Sequence, residues 1–160
     1  MTLNKDLRLK IAQMVKASGE GHIPSSYSIV DLIEHLYGQV LRVDAKNPLD
    51  PERDYFILSK GHCCASLYAA LALRGFFPRQ ELATYGETDT RLMAHISHKV
   101  PGVEFSTGSL GHGLPFGCGK ALAAQRANAA RWAERLPRAE ARQELGLADG
   151  EARMGEIEAF

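Results

Sequence analysis

The sequence contains neither a long hydrophobic run nor an excess of charge of one sign. Nineteen Lys and Arg residues balance nineteen Asp and Glu residues, so the formal net charge of the 160-residue chain is +0. A balanced chain has no overall field that favours nucleic acid or an anionic membrane surface. Its apolar runs cover only a few residues, whereas a membrane-spanning helix needs about 20. We therefore expect neither a nucleic-acid partner nor a membrane partner.

Cysteine is sparse, and a secretory signal is missing. The three cysteines, Cys63, Cys64 and Cys118, lack the paired spacing of a metal site, and their odd number does not fit a disulfide framework. The N-terminal residues alternate charged and apolar side chains, whereas a signal peptide has an unbroken apolar stretch. These features predict reduced thiols and a cytoplasmic protein.

Hydrophobic spacing predicts several helices. Apolar residues at helical intervals favour an amphipathic helix over residues 3–17, which Gly19 ends. A second helix is expected after Pro24, with Ser25 or Ser26 as its cap and an end near Leu41. Further helices are expected around residues 63–73 and from about Pro115.

Two short segments read as strands and decide the predicted fold class. Residues 55–58 form a continuous aromatic and branched run, and residues 103–107 give a weaker strand pattern. The second segment leads into a glycine-rich loop, residues 108–113, and then into a helix. Strand, glycine loop and helix are typical of an α/β fold, so we expect a mainly parallel sheet flanked by helices.

The composition changes near residue 127. Alanine, arginine and glutamate dominate beyond this point, and few positions there suit a buried strand. We therefore divide the chain into a domain over residues 1–127 and a divergent Ala/Arg/Glu-rich segment over residues 128–160. That segment is expected to form charged helix broken at Pro137.

Four histidines follow small residues in predicted loops, and this clustering is the main chemical signal. They are His22, His62, His95 and His112. Glycine lets the backbone approach a ligand, and histidine can donate, accept or transfer a proton near neutral pH. A single Gly-His pair is more often only a turn at the start of a helix. The four histidines together, three after glycine and one after Ala94, favour a polar, phosphate-bearing ligand.

The glycine-rich loop at residues 108–113 has two readings. Its N–H groups and the positive end of the following helix can hold a diphosphate, but a tight helix-entry turn explains the same residues equally well. It satisfies neither common nucleotide-binding motif. Near the C-terminus, Asp149 and Glu151 flank a glycine and offer oxygen ligands for Mg²⁺, although an exposed turn is the commoner explanation.

Read in order, these loops resemble the transketolase family over a span from about Leu7 to Ala124. The order and spacing of the motifs carry the resemblance more than any single motif does. The matching segments are Leu-Arg-Leu-Lys-Ile with Ser-Gly-Glu-Gly-His22, Asp-Ala-Lys-Asn-Pro48, Glu-Arg-Asp54, Phe-Ile-Leu-Ser-Lys-Gly-His62, Val-Pro-Gly-Val-Glu104 and Ser-Thr-Gly-Ser-Leu-Gly-His-Gly113.

The resemblance implies a thiamine-diphosphate-binding domain of a ketol transferase. It implies that His22, His62 and His95 face the cofactor or a sugar-phosphate substrate as catalytic residues. It further implies cofactor contacts from His62, Gly108, Leu110 and His112, and a divalent cation, normally Mg²⁺, bound through Asp149. The pyrimidine-binding domain would belong to a partner, a C-terminal transketolase subunit, in a homo- or hetero-oligomer.

Several departures from the family pattern limit what the resemblance implies. Ile23 follows His22 where the family has Pro-Gly, and His112 stands where glutamine is frequent. Residues 138–144 do not match the buried strand expected before Asp149. We expect a partial, truncated N-terminal subunit that is inactive alone. The alternatives are a noncatalytic interaction module and a related thiamine-diphosphate enzyme with another substrate.

Overall fold

The computed structural model of the chain describes residues 3–135. Its internal contacts divide the chain into two compact units, Met1–Phe116 and Gly117–Phe160. The first unit contains the four histidines and the glycine-rich loop. The division into residues 1–127 and 128–160 stays a prediction, and both Pro137 and Asp149 lie outside the described residues.

The first helix, α1 (Leu3–Ser18), confirms the predicted amphipathic pattern. Leu7, Ile11 and Met14 are buried at 1%, 0% and 3% exposure, which places one helix face in the core. Gly19 has φ of +69°, a left-handed conformation that favours glycine, and its N–H donates to the carbonyl of Val15 at 3.0 Å. The helix therefore ends where the sequence predicts.

The predicted second helix is divided into shorter pieces. They are α2 (Ile23–Tyr27), α3 (Val30–His35) and a π-helical turn (Leu36–Val40). Helix α2 begins before Pro24 and has His22 at its N-cap without a side-chain capping bond, so the serine cap was wrong. Ser28 donates its hydroxyl to the carbonyl of Ser25 at 2.7 Å. This local bond competes with the continuation of the helix.

Helix α4 (Cys64–Leu73) forms the centre of the first unit. Nine of its ten residues are buried, so it carries apolar or small side chains on every face. It follows a 3₁₀ turn (Gly61–Cys63) and packs against α1, α3 and a second 3₁₀ segment (Arg79–Thr84). Because α4 is surrounded on all sides, the loops at its start are anchored to the core.

The predicted α/β fold with a mainly parallel sheet is wrong for the part of the chain that is described. Residues 55–58 and 103–107 lie in segments without strand pairing, and residues 3–135 contain no strand. A side-chain bond joins the two segments: the Thr107 hydroxyl donates to the Leu58 carbonyl. Just before the first segment, Arg53 forms an ion pair with Glu104 at 2.7 Å. A sheet requires backbone groups in register on neighbouring strands, which apolar composition alone does not provide.

The last described helix, α5 (Gly113–Arg135), follows the glycine-rich loop. It starts two residues before the predicted Pro115, which occupies the first turn, where its missing N–H costs no hydrogen bond. No helix in the described part combines the length and the apolarity that a bilayer crossing requires.

The cysteines are free thiols in two different environments. Cys63 and Cys64 are fully buried, whereas Cys118 on α5 is exposed. Burial raises the pKa of the Cys63 thiol and raises that of Cys64 to about 12. Both buried thiols are therefore protonated near neutral pH.

We predict that Gly61→Ala destabilises the chain, because a Cβ at residue 61 would overlap the carbonyl oxygen of Thr107. The expected loss is about 1–3 kcal/mol of unfolding free energy, the usual cost of overpacking, measured by urea denaturation. Gly119→Ala is the matched control: a Cβ at this position of α5 meets nothing within 4 Å. It should gain about 0.5–1 kcal/mol, because alanine is the better helix former. Equal stability of the two variants would contradict the close contact.

Candidate functional site

Two of the predicted histidines form a ring pair. The imidazoles of His22 and His62 lie 5.4 Å apart between centroids and are nearly perpendicular, at 89°. His22 is the residue before α2, and His62 lies in the 3₁₀ turn that precedes α4. His22 is exposed and His62 is half-buried. Residues forty positions apart in sequence thus present imidazole groups on one surface.

Side-chain bonds fix the two histidine loops against each other. The Lys60 ammonium donates to the Ser28 hydroxyl at 2.9 Å and to the Ser25 carbonyl at 3.4 Å. The Cys63 thiol donates to the same Ser25 carbonyl at 3.2 Å. The residues on both sides of His62 are therefore tethered to α2, which begins directly after His22.

His95 reaches the same cluster through the backbone. The N–H of Ile96 donates to the carbonyl of Gly61 at 3.1 Å, so the residues after His95 and before His62 are hydrogen-bonded to each other. The Tyr68 hydroxyl donates to the His95 carbonyl at 3.0 Å. The His95 residue itself is exposed.

The glycine-rich loop is joined to this cluster by two close contacts. Gly61 lies against the backbone of Thr107, and the N–H of Gly113 donates to the Ser59 hydroxyl at 3.1 Å. A Cβ at Gly113 would lie 2.5 Å from the Ser59 Cβ, so this end of the loop is pressed onto the segment before His62. The start of α5 is thereby brought beside the histidines.

The predicted cofactor contacts within the loop are open. A Cβ at Gly108 would meet nothing within 4 Å, and the Leu110 side chain is 71% exposed. His112 is also exposed, and no described contact joins its ring to the other three histidines. The structure therefore brings His22, His62 and His95 together and leaves the side chain of His112 outside the cluster.

The electrostatics of the cluster favour an anionic ligand. Partial desolvation lowers the pKa of His62 from its ordinary value of 6.5, and the positive charges of His22, Lys60 and His95 lower it further. Each charged group that acts on His62 is thus cationic or becomes cationic on protonation. A diphosphate placed here would relieve this repulsion and would accept hydrogen bonds from imidazole, ammonium and backbone N–H groups.

The residues present therefore fit a diphosphate but provide no complete metal site. Within residues 3–135, no three His, Cys, Asp or Glu side chains are grouped closely enough to hold a metal ion. The predicted Mg²⁺ ligand Asp149 is not among these residues. Lys60 and Tyr68 were not predicted from the sequence. Lys60 could have been found from its place in the Ser-Lys-Gly-His segment, whereas the pattern around Tyr68 indicates only a core helix.

Comparison with known proteins identifies the family. Residues 2–141 match the family model described as transketolase, thiamine diphosphate binding domain. The chain belongs to the transketolase family. Its thiamine-diphosphate-binding character is thereby established as a property of the domain, and the resemblance seen in the motifs is confirmed.

Several proteins named as parts of transketolases are similar to the chain. It is 41% identical over 129 residues to a subunit of the apulose-4-phosphate transketolase of Actinobacillus succinogenes, covering 79% of this chain and 47% of that protein. It is 44% identical over 108 residues to 6-deoxy-6-sulfo-D-fructose transketolase subunit SqwG of a Clostridium species, covering 67% and 39%. The chain thus spans less than half the length of these relatives.

Solved transketolases share the fold of the described region. The transketolase from Leishmania mexicana superposes with a TM-score of 0.66 at 28% identity, covering 71% of this chain and 18% of that one. A Pichia stipitis transketolase in complex with sedoheptulose-7-phosphate gives a TM-score of 0.57 at 27% identity, covering 70% and 17%.

We predict that His22→Ala raises the pKa of His62 toward 6.5, because the substitution removes both a cationic neighbour and a ring that limits hydration. The measurement is an NMR pH titration of the histidine Cε1–H signals. His35→Ala is the control, because His35 is an exposed histidine on α3 that does not contribute to the His62 pKa. A His62 titration that is identical in wild type and His22→Ala would contradict the proposed coupling.

Proposed function

We propose that the chain supplies the diphosphate-binding part of a transketolase, which transfers a two-carbon ketol unit between sugar phosphates in an assembly with a second subunit. The observation that carries the proposal is the gathering of His22, His62, His95 and Lys60 beside the glycine-rich loop at the start of α5. These groups provide hydrogen-bond donors and positive charge at one surface. Their individual roles are part of the proposal.

His62 is the residue we assign to the cofactor. Its depressed pKa keeps the imidazole neutral at pH 7, so the ring can donate from one nitrogen and accept at the other. Backbone N–H groups of residues 108–113 and the positive end of α5 would hold the diphosphate, with Gly108, Leu110 and His112 as the contacting residues. When bound, thiamine diphosphate supplies the carbanion-stabilising chemistry of ketol transfer.

His22 and His95 are assigned to the substrate. Both rings are exposed at the edges of the cluster, where they can bond sugar hydroxyl or phosphate oxygens and move a proton near neutral pH. The Lys60 ammonium, held by the Ser28 hydroxyl and the Ser25 carbonyl, adds a cationic group that favours a phosphorylated substrate. Positioning and proton transfer are thus the contributions of this chain, as expected for a protein that binds an organic cofactor.

A second subunit would complete the site. Both of the relatives described above are named as subunits of transketolases. Leu110 in the glycine-rich loop and Leu114 in the first turn of α5 are 71% and 74% exposed, and such exposed apolar side chains are the kind that protein interfaces cover. We propose that this surface meets a C-terminal subunit carrying the pyrimidine-binding domain. We further propose that the chain binds Mg²⁺ through Asp149, lies in the cytoplasm and is inactive without the partner.

We predict that His62→Ala weakens the binding of thiamine diphosphate by about 10- to 100-fold, which corresponds to about 1.5–3 kcal/mol for a hydrogen bond to a charged group. Calorimetry in the presence of Mg²⁺, with and without the candidate partner subunit, measures this change. His35→Ala should bind as wild type does. Equal affinity of His62→Ala and His35→Ala would remove His62 from the site, and no binding by the wild type under either condition would contradict the proposed function.

We also predict that Leu114→Gln weakens the association of the two subunits by about tenfold, or about 1.4 kcal/mol, because it places an amide in an apolar contact. Leu49→Gln is the matched control, since Leu49 is 81% exposed and lies in the loop after residue 43, outside the proposed surface. Analytical ultracentrifugation of the mixed subunits measures the change. Association that is weakened equally by both substitutions, or by neither, would refute this location for the interface.

A further inference from the structure

Tyr68 is a buried tyrosine that bonds the backbone of residues 95–97, which we call the His95 loop. It is 0% exposed in the middle of α4, yet its hydroxyl makes two hydrogen bonds. The hydroxyl donates to the carbonyl of His95 at 3.0 Å and accepts from the N–H of Ser97 at 3.0 Å. One side-chain atom thus bonds two backbone groups that lie on either side of Ile96.

The intervening residue is fixed to a different element. Ile96 is 3% exposed, and its N–H donates to the carbonyl of Gly61 at 3.1 Å. Three consecutive residues therefore carry bonds that join the loop to α4 and to the 3₁₀ turn of His62. The loop has no regular secondary structure, but each of these three residues has a backbone hydrogen bond to a neighbouring element. These bonds fix the position of the His95 backbone relative to His62.

The phenol is suited to this task because it can donate and accept at the same time. Burial raises the pKa of Tyr68, so the hydroxyl keeps its proton throughout the pH range in which the histidines titrate. The ring packs edge-on against Tyr85 at 6.4 Å, which restricts its rotation. Phenylalanine would preserve this packing but would leave the part-buried carbonyl of His95 and the buried N–H of Ser97 without this partner.

We propose that Tyr68 is a positioning residue, whose hydroxyl holds the His95 loop so that His95 stays beside His62 in the site. The residue does not touch the ligand and acts through the backbone of residues 95–97. The consequence for turnover rests on the proposed function, whereas the geometric effect does not.

The test is Tyr68→Phe in the full chain without cofactor. The positive charge of His95 is one of the causes that lower the pKa of His62, together with those of His22 and Lys60. Release of the loop should therefore raise the His62 pKa, because a neighbour that lowers it moves away. NMR titration of the histidine Cε1–H signals measures this change, which a purely structural role would not produce.

Tyr37→Phe is the matched control. Tyr37 is another buried tyrosine, 3% exposed, and it packs against Phe56 rather than the histidine loops. It should leave the His62 titration unchanged even if it lowers stability. The proposal is overturned if folded Tyr68→Phe titrates at His62 as wild type does, or if Tyr37→Phe produces the same rise.

Hydrogen exchange on the wild-type chain provides a second measurement that needs no substitution. The Ser97 N–H should exchange as slowly as the amides of α4, because its partner is a core side chain. Exchange of Ser97 at the rate of the exposed loop amides would overturn the proposal even if Tyr68→Phe did not fold.

Turnover with the partner subunit separates this proposal from the proposed function. If the assembly is active, Tyr68→Phe should lower kcat/KM for the sugar phosphate about tenfold and leave the affinity for thiamine diphosphate within about twofold, because His95 is assigned to the substrate. An inactive wild-type assembly would count against the proposed function alone, since the titration and exchange measurements are made without cofactor. A loss of cofactor affinity as large as that of His62→Ala would overturn the assignment of Tyr68 to the His95 loop.

Discussion

The backbone contact between Gly61 and Thr107 is the constraint on which the histidine cluster depends. A side chain on residue 61 would occupy the space of the Thr107 carbonyl, so only glycine permits the two segments to touch. The same glycine accepts the N–H of Ile96 through its own carbonyl and is followed directly by His62. One residue without a side chain thus joins the loops of His62, of His95 and of the turn into α5.

The cluster places Lys60 and three histidines, groups that are or become cationic, on one surface of the first unit. Partial desolvation and the positive charges of His22, Lys60 and His95 lower the pKa of His62, which favours the neutral imidazole at pH 7. An ion pair elsewhere in this unit shows the contrasting case. Arg53 and Glu104, each about one-seventh exposed, neutralise each other at 2.7 Å. The histidine surface thus brings together groups that are or become cationic, whereas Arg53 and Glu104 balance each other within the fold.

The local signals in the sequence predicted much of the site and less of the fold. Helix α1, its end at Gly19 and the meeting of His22 with His62 follow from short-range patterns and motif order. The predicted sheet is wrong because strand pairing depends on how two segments meet. Residues 55–58 and 103–107 have the composition of strands, but a side-chain hydrogen bond joins them instead of a backbone ladder. The sequence also does not indicate the proposed role of Tyr68. A tyrosine on a core helix has the same sequence pattern whether or not its hydroxyl bonds a neighbouring loop.

The distribution of the thiols gives the molecule a practical property. Cys63 and Cys64 are enclosed in the core, whereas Cys118 is accessible on α5. A maleimide dye or a nitroxide spin label added to the native chain will therefore attach at a single position without any engineered substitution. The label then lies on α5, the helix that follows the glycine-rich loop. The fluorescence or spectrum of the label can report the binding of other molecules to this helix.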